Sequence, residues 1–168
     1  MRFIYCPHCG QKLIEREIGD EGLVPYCERC AKPLFEMPSA CVIVVAVNEQ
    51  GEAALIRQSY GYQEKHVCIA GYIKIGESAE ETAARELQEE IGLQAQWLRP
   101  LGSWAMPKRE LLMLGFGARV PKADFTLSGE VASADWFPLR QALEEVPQQS
   151  VAQQLIQKYI DAFPEDAK

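Results

Sequence analysis

The stretch GYIKIGESAEETAARELQEEIGL, residues 71–93, decides how the rest of the chain is read. Ser78 followed by Glu81 fits an S-x-x-E capping box, so a helix is expected to begin near Ala79. Gly92 after Ile91 supplies a C-terminal stop. Between these signals Ala83, Leu87 and Ile91 recur every fourth residue and make one apolar stripe, suited to docking on a sheet. Glu86 and Glu90 share that spacing on a neighbouring face, and Glu89 lies one turn beyond Glu86. Like charges so placed destabilise an exposed helix by roughly 0.2–0.5 kcal/mol per pair. Partial burial raises that cost, and their position in the C-terminal half opposes the helix dipole. A solvated acidic face is the ordinary meaning of such a run. The apolar stripe beside the carboxylates and the glycine-bounded loop GYIKIGE before them favour a different use. They suit a cage for hard divalent cations, with backbone placed to receive a metal-bound phosphate. Arg85 is the one cation within the cluster, in reach of Glu81 or Glu89 along the helix.

The 168 residues leave room for one ordinary domain and a small appendage, and a hydrophobic share of 48% suffices for a packed core. No apolar run approaches the roughly 20 residues that span a bilayer. The opening MRFIYCPHCG has no apolar segment of the kind a secretory signal needs, so a cytoplasmic protein is expected, with no membrane partner. A net charge of −7 argues against gripping nucleic acid through a basic surface. It leaves small phosphorylated ligands open, because a bound divalent metal reverses the local field.

Composition shifts near residue 36, dividing the chain into segments 1–36 and 37–168. In the second, ACVIVVAV reads as a buried strand and EAALIRQ as its returning partner across an NEQG turn. VCIAG, LQAQWLRPLGSWAM, ELLMLGFGARV and ASADWFPL read as further strands, the second interrupted at Pro-Leu-Gly. Helices are expected around residues 139–145 and 150–163, the latter with Val151, Leu155 and Tyr159 on one face. Hairpin strands mixed with helices indicate an α+β fold.

In the first segment Cys6, Cys9, Cys27 and Cys30 form C-x2-C-x17-C-x2-C. Two such knuckles turn the backbone about one ion and complete a tetrahedral zinc site. Four thiolates leave no open position, so the zinc is structural. A segment this short cannot build a sufficient core alone, and a metal supplies what the core lacks. His8 is expected to face solvent inside the first knuckle, and Cys41 and Cys68 to be small core residues. His66 is expected in a loop before a strand. Trp104, Phe116 and Trp136 are more often core than pocket residues.

The stretch 71–93 resembles the Nudix box, G-x5-E-x7-R-E-U-x-E-E-x-G-U with U aliphatic. Gly71, Glu77, Arg85, Glu86, Leu87, Glu89, Glu90, Gly92 and Leu93 fill it in register. The resemblance implies a Nudix hydrolase: an α/β/α sandwich with a mixed sheet, here preceded by a small zinc ribbon. Such enzymes cleave a nucleoside diphosphate linked to another moiety, using Mg²⁺ or Mn²⁺. The resemblance implies Glu86 and Glu90 as primary metal ligands and Glu89 as a ligand or the general base. It implies Glu77 and Arg85 as supports, and the Ala70 carbonyl as a further ligand.

A ribbon directly before the box is similar to the NADH pyrophosphatase branch, and that resemblance covers most of residues 4–160. It implies substrate contacts from Phe35, after the last zinc cysteine, and from Tyr72, stacking on a base or nicotinamide. It implies Glu130, six residues before Trp136, as a metal ligand, and Ala152 as a contact in the turn into the last helix. The branch segment SQPWPFPxS resembles GSWAMPKRE, residues 102–110, where Trp104 and Pro107 echo it and the rest departs; the resemblance makes Trp104 a further expected substrate contact. NAD(H), giving two mononucleotides, is therefore the first substrate expected, with ADP-ribose and FAD as alternatives and a non-catalytic ligand sensor as a third reading. The branch also implies a homodimer and a link to NAD-capped RNA. The ribbon is expected to stand first in the chain, without the long N-terminal domain of many branch members. Lys108 and Arg109 are candidate phosphate contacts, and a solvated turn explains them equally well.

Overall fold

The computed structural model describes residues 3–60 and 65–167; positions 1, 2, 61–64 and 168 of the two segments lie outside the described residues. The chain divides into two compact units, Met1–Pro38 and Ser39–Lys168.

The first unit is a three-stranded antiparallel sheet of β1 (Ile14–Glu17), β2 (Leu23–Cys27) and β3 (Lys32–Pro33). Its apolar interior is small. Among the described residues Cys6, Val24, Cys27 and Leu34 are its buried members, so two of the four are cysteines.

The second unit is built on β4 (Ser39–Val47), followed by β5 (Glu52–Gln58), β6 (Ile69–Tyr72), α1 (Ala79–Ile91), β7 (Trp97–Met106), β8 (Leu111–Arg119), β9 (Val131–Pro138), α2 (Leu139–Glu145) and α3 (Val151–Ala162). The sheet order is β7-β8-β4-β5-β9, with β6 also on β4. β4 and β8 run parallel and the other pairs antiparallel, which makes the sheet mixed. β4 is apolar from Ala40 to Val47 because both its faces are covered there. Val42, Val44 and Ala46 pack toward Ala83, Leu87 and Ile91 of α1. Ile43, Val45 and Val47 pack toward Leu155, Ile156 and Tyr159 of α3 and Leu139 of α2. The layers are thus α/β/α, as the resemblance implied.

One edge of β4 is shared. β5 pairs with Ala46 and Val47, and β6 takes Cys41 through Val44. Among the described residues the β5 edge facing β6 is closed only by the bridge Ile56–Val67. This division leaves room over the sheet between β5 and β6.

α1 starts and stops where its caps dictate. The Ser78 Oγ accepts from the Glu81 N–H at 3.2 Å, and the Glu81 carboxylate accepts from the Ser78 N–H at 2.8 Å. Gly92 ends the helix at φ 74°, a left-handed conformation that glycine adopts without a Cβ penalty. The Pro-Leu-Gly interruption appears as a register shift between Pro100 and Gly102 in the β7–β8 pair.

Of the two carboxylates in reach of Arg85, Glu89 is taken at 2.8 Å, because the capping box has already engaged Glu81. His66 lies in the loop before β6, as expected, and is buried there. Arg57 Nε donates to its Nε2 at 3.2 Å, Glu145 lies 3.2 Å from its Nδ1, and the ring meets the Phe137 ring edge-on. These partners, 9 to 79 residues away, satisfy a polar ring that would otherwise be costly to bury. Cys41 and Cys68 are buried as expected, and burial pushes the Cys68 thiol up to about 12. Among the described residues no helix is long and apolar enough to cross a membrane.

Leu87 anchors the docked face of α1 with no exposed surface. Leu87→Ala is expected to lower the stability of this unit by about 2–5 kcal/mol, since transfer free energy and a residual cavity both count. Urea unfolding followed by circular dichroism measures this; a loss below 1 kcal/mol, roughly an Ile→Val effect, would contradict the packing.

Candidate metal and diphosphate site

In the first unit four sulfurs converge. The Sγ atoms of Cys6, Cys9, Cys27 and Cys30 all lie within 4.8 Å of one another. Cys9 and Cys27 are 3.5 Å apart, and Cys6 and Cys30 3.9 Å. A tetrahedral zinc with bonds of about 2.3 Å needs sulfur–sulfur edges of about 3.8 Å, so the donors fit that ion. Burial pushes the Cys27 thiol up, and Cys9 together with burial pushes Cys30 up to about 12. Crowded thiols of this kind ionise together only around a cation. His8 is exposed in the knuckle, as expected.

The second site lies where α1 crosses β6. Gly71 is the close approach between them: a Cβ there would fall 1.9 Å from Glu86 Oε1. Only glycine lets the helix carboxylate sit against the strand backbone.

Arg85 organises the acidic side chains around it. Its Nε donates to Glu77 Oε1 at 2.8 Å and its Nη2 to Glu77 Oε2 at 2.9 Å, a bidentate pair. Its Nη1 donates to Glu86 Oε1 at 2.6 Å and to Glu89 Oε2 at 2.8 Å. Nη2 also reaches the Tyr72 carbonyl at 3.1 Å, tying the loop before the helix to the helix itself. The Arg85 guanidinium, helped by the Thr82 hydroxyl and the Lys74 N–H, holds the Glu77 carboxyl at about 2, well below the usual carboxylate range.

Glu90 has no such help. It is buried, and its Oε2 has no hydrogen-bond partner. Burial, then the negative charges of Glu86 and Glu130, raise its pKa to about 8, with the Ala70 backbone pulling weakly the other way. An orphaned buried carboxylate oxygen beside a second buried carboxylate is a poor arrangement for a bare protein and a good one for a hard cation. The residues therefore fit a Mg²⁺ or Mn²⁺ ion held by Glu86 and Glu90.

A cavity of about 780 Å³ opens over these groups, lined among others by Ala70, Tyr72, Glu86, Glu89, Glu90 and Glu130. Its volume suits a nucleotide-sized ligand. Glu89 stands half-exposed at its rim, with Lys74 Nζ 3.8 Å away. Glu130 arrives from just before β9, and the Tyr60 hydroxyl donates to its Oε2 at 3.3 Å. Tyr72 is exposed and lines the same wall.

Within the second unit two expected substrate contacts stand elsewhere. Ala152 is buried in the α3-side core, and Trp104 packs against that core with its Nε1 donating to Gln154 at 2.8 Å. Lys158 covers the Trp104 ring at 5.5 Å, so both the polar edge and a face of the indole are already engaged. Neither residue lines the cavity among the described residues. Phe35 belongs to the first unit, where it is exposed beside Leu23 and Leu34. No local pattern marked Tyr60 or Gln58 as cavity residues. They arrive through β5–β9 pairing, and Tyr60 lies 70 positions from Glu130, beyond any local pattern.

The NUDIX domain family profile matches residues 37–159. Among curated proteins, the chain is 32% identical over 163 residues to the NAD-capped RNA hydrolase NudC of Pseudomonas aeruginosa, covering 93% of this chain and 55% of that protein. It is 33% identical over 150 residues to NudC of Haemophilus influenzae, covering 85% of this chain and 54% of that protein. The chain thus spans about half the length of the curated relatives it matches. Among solved structures, a NUDIX hydrolase from Nitrosomonas europaea aligns with a TM-score of 0.78 at 21% identity, over 98% of this chain and 93% of that one. The NUDIX domain of Shewanella oneidensis NrtR, complexed with ADP ribose, aligns at 0.67 and 18% identity, over 82% of this chain and 94% of that one.

Two outcomes are expected. Zinc chelation unfolds the first unit while the second keeps its cooperative unfolding transition, because only the first lacks an apolar core of its own. Loss of amide dispersion in the first unit alone, by NMR, is the supporting result; an unchanged spectrum after verified zinc removal contradicts it. For the second site the sign follows from Glu90. A raised carboxyl pKa makes the folded protein bind more protons than the unfolded chain between about 4.3 and 8. Metal-free stability from this group therefore falls as pH rises through that window. A cation must displace the same proton, so Mg²⁺ is expected to raise Tm more at pH 8 than at pH 6, with proton release detectable by calorimetry. Equal Tm shifts at both pH values would contradict the Glu90 assignment.

Proposed function

The chain belongs to the NUDIX domain family, and from that premise we propose that it is a metal-dependent hydrolase of a nucleoside diphosphate linked to a second moiety. The substrate favoured first is an NAD-type dinucleotide, split into two mononucleotides. The observation that carries this reading is the orphaned, buried Glu90 Oε2 beside Glu86, under a cavity of nucleotide size. The names of the NudC relatives support the NAD-linked substrate, free or at the end of an RNA.

In this proposal Glu86 and Glu90 would hold the catalytic cation, with the Ala70 carbonyl, Glu89 and Glu130 as further donors. A bound Mg²⁺ or Mn²⁺ supplies charge neutralisation of the diphosphate and lowers the pKa of water. The chain's own residues do the rest. Arg85 fixes Glu86 and Glu89 against rotation, so the donors are set before a ligand arrives. Glu77 acts through Arg85 and is a positioning residue. Glu89, the most exposed of the three box carboxylates on α1, is suited to take a proton from the attacking water. Tyr72 offers an exposed ring on which a base can stack. Cys6, Cys9, Cys27 and Cys30 hold structural Zn²⁺. A cytoplasmic location agrees with thiols arranged for a metal rather than for disulfides. A homodimer agrees with the exposed apolar Leu23, Phe35 and Met37 of the first unit.

The test is AMP release from NAD(H), ADP-ribose and FAD with Mg²⁺ or Mn²⁺. Glu90→Gln is expected to lower kcat by at least a hundredfold, about 2.7 kcal/mol or more of barrier, with its far-UV spectrum unchanged. Near-wild-type turnover by that variant sinks the metal-site reading, and no AMP from any of these compounds sinks the dinucleotide reading.

A further inference from the structure

Arg85 and Lys74, two of the three cations that line the cavity, are committed to its carboxylates. Arg85 is held by Glu77, Glu86 and Glu89, and Lys74 stands 3.8 Å from Glu89. The third, Arg109, has no hydrogen-bond or ion-pair partner among the described residues, although it lines the same wall.

Its placement is fixed. The 3₁₀ turn Pro107–Arg109 joins β7 to β8, and the Glu110 N–H donates to the Pro107 carbonyl at 3.1 Å. Glu110 sits at φ 52°, in the left-handed region, a strained choice for a residue with a Cβ. The Glu110 carbonyl is then bound by the Ser39 N–H at 2.9 Å, which anchors the turn to the start of β4.

The sheet register sets how far Arg109 lies from the chemistry. Ala70 pairs with Ile43, while Leu111 pairs with Ser39. Four strand residues separate those rows, roughly 13 Å along β4. Arg109 precedes Leu111, so its backbone lies beyond that distance. A nucleoside attached to a diphosphate at Glu86 and Glu90 spans a gap of that size. The wall between is the row Tyr72, Cys41 and Met113, adjacent across β6, β4 and β8, with Leu111 after it. It offers an aromatic ring, a thiol and a thioether, a surface for a base rather than for a charge.

From this geometry we infer that Arg109 is a specificity residue for a phosphate carried on the ribose of the bound nucleoside, distinct from the diphosphate that is cleaved. The inference rests on the nucleotide reading of the cavity given above. A free guanidinium presents a planar fork that matches phosphate oxygens. The same phosphate chemistry has two sources: a monoester, as in a ribose-phosphorylated dinucleotide, or a 3′ diester, as at the start of an RNA.

Binding to the full chain with Mg²⁺ is measured calorimetrically for 5′-AMP, adenosine 2′,5′-bisphosphate, adenosine 3′,5′-bisphosphate and the dinucleotide pApA. At least one phosphate-bearing ligand is expected to bind about tenfold or more tighter than AMP, as a charge-assisted hydrogen bond provides. Arg109→Gln is expected to bring that ligand to within about twofold of AMP while leaving AMP itself unchanged. Lys108→Gln, the neighbouring exposed cation outside the cavity wall, is expected to change none of the ratios. Preference for a bisphosphate identifies the monoester source, and preference for pApA the diester source. Equal binding of all four ligands, or an Arg109→Gln variant that weakens AMP as much as the others, overturns the inference. These readouts involve no turnover, so a failure to hydrolyse dinucleotides counts against the catalytic proposal and not against Arg109.

Discussion

Carboxylates one turn apart on a helix repel, and here a single guanidinium determines how far that repulsion is relieved. Arg85 bonds Glu77, Glu86 and Glu89 at 2.6–2.9 Å and also caps the Tyr72 carbonyl. Glu77 comes from the loop before α1 and Glu86 from within it, so the same contact locks the loop to the helix. The relief is uneven. Glu90, on the far side of Glu86, gains nothing from Arg85 and keeps an unbonded buried oxygen. Three acidic groups are prepared and a fourth is held at a raised pKa, an imbalance that a divalent cation removes.

That imbalance is tolerable because the scaffold beneath it is rigid. β4 is buried on both faces, and α1 docks on one of them through Ala83, Leu87 and Ile91. Turning the stripe inward aims the adjacent face, with Glu86 and Glu90, at β6. Gly71 then permits the final approach. Dividing the β4 edge between β5 and β6 opens the space that the carboxylates face. Fold stability and site geometry are therefore set by the same helix from two neighbouring stripes.

The first unit meets the entropy of folding by other means. Its buried apolar set among the described residues is Cys6, Val24, Cys27 and Leu34, too few side chains to offset ordering a chain of this length. Its sulfur spacing matches what zinc needs, so bonds to such an ion would supply the cohesion that the second unit takes from two hydrophobic layers.

Local patterns were enough to show α1 with both its caps, the apolar β4, the interruption in β7 and the four-thiolate set. Each depends on residues within a few positions of one another, or on a spacing that one ion imposes. The grouping of Glu86, Glu89 and Glu90 on one helical region was equally readable from the 3.6-residue period. The sequence alone could not say which of them would be starved of partners, because Glu90 is buried by packing across layers and feels the charge of Glu130, 40 positions away. Nor could it place Trp104 against Gln154, bring Tyr60 to Glu130, or bury His66 between Arg57 and Glu145. Those contacts are made by strand register and by packing across layers, and pairings of that kind are selected only when the whole sheet has closed.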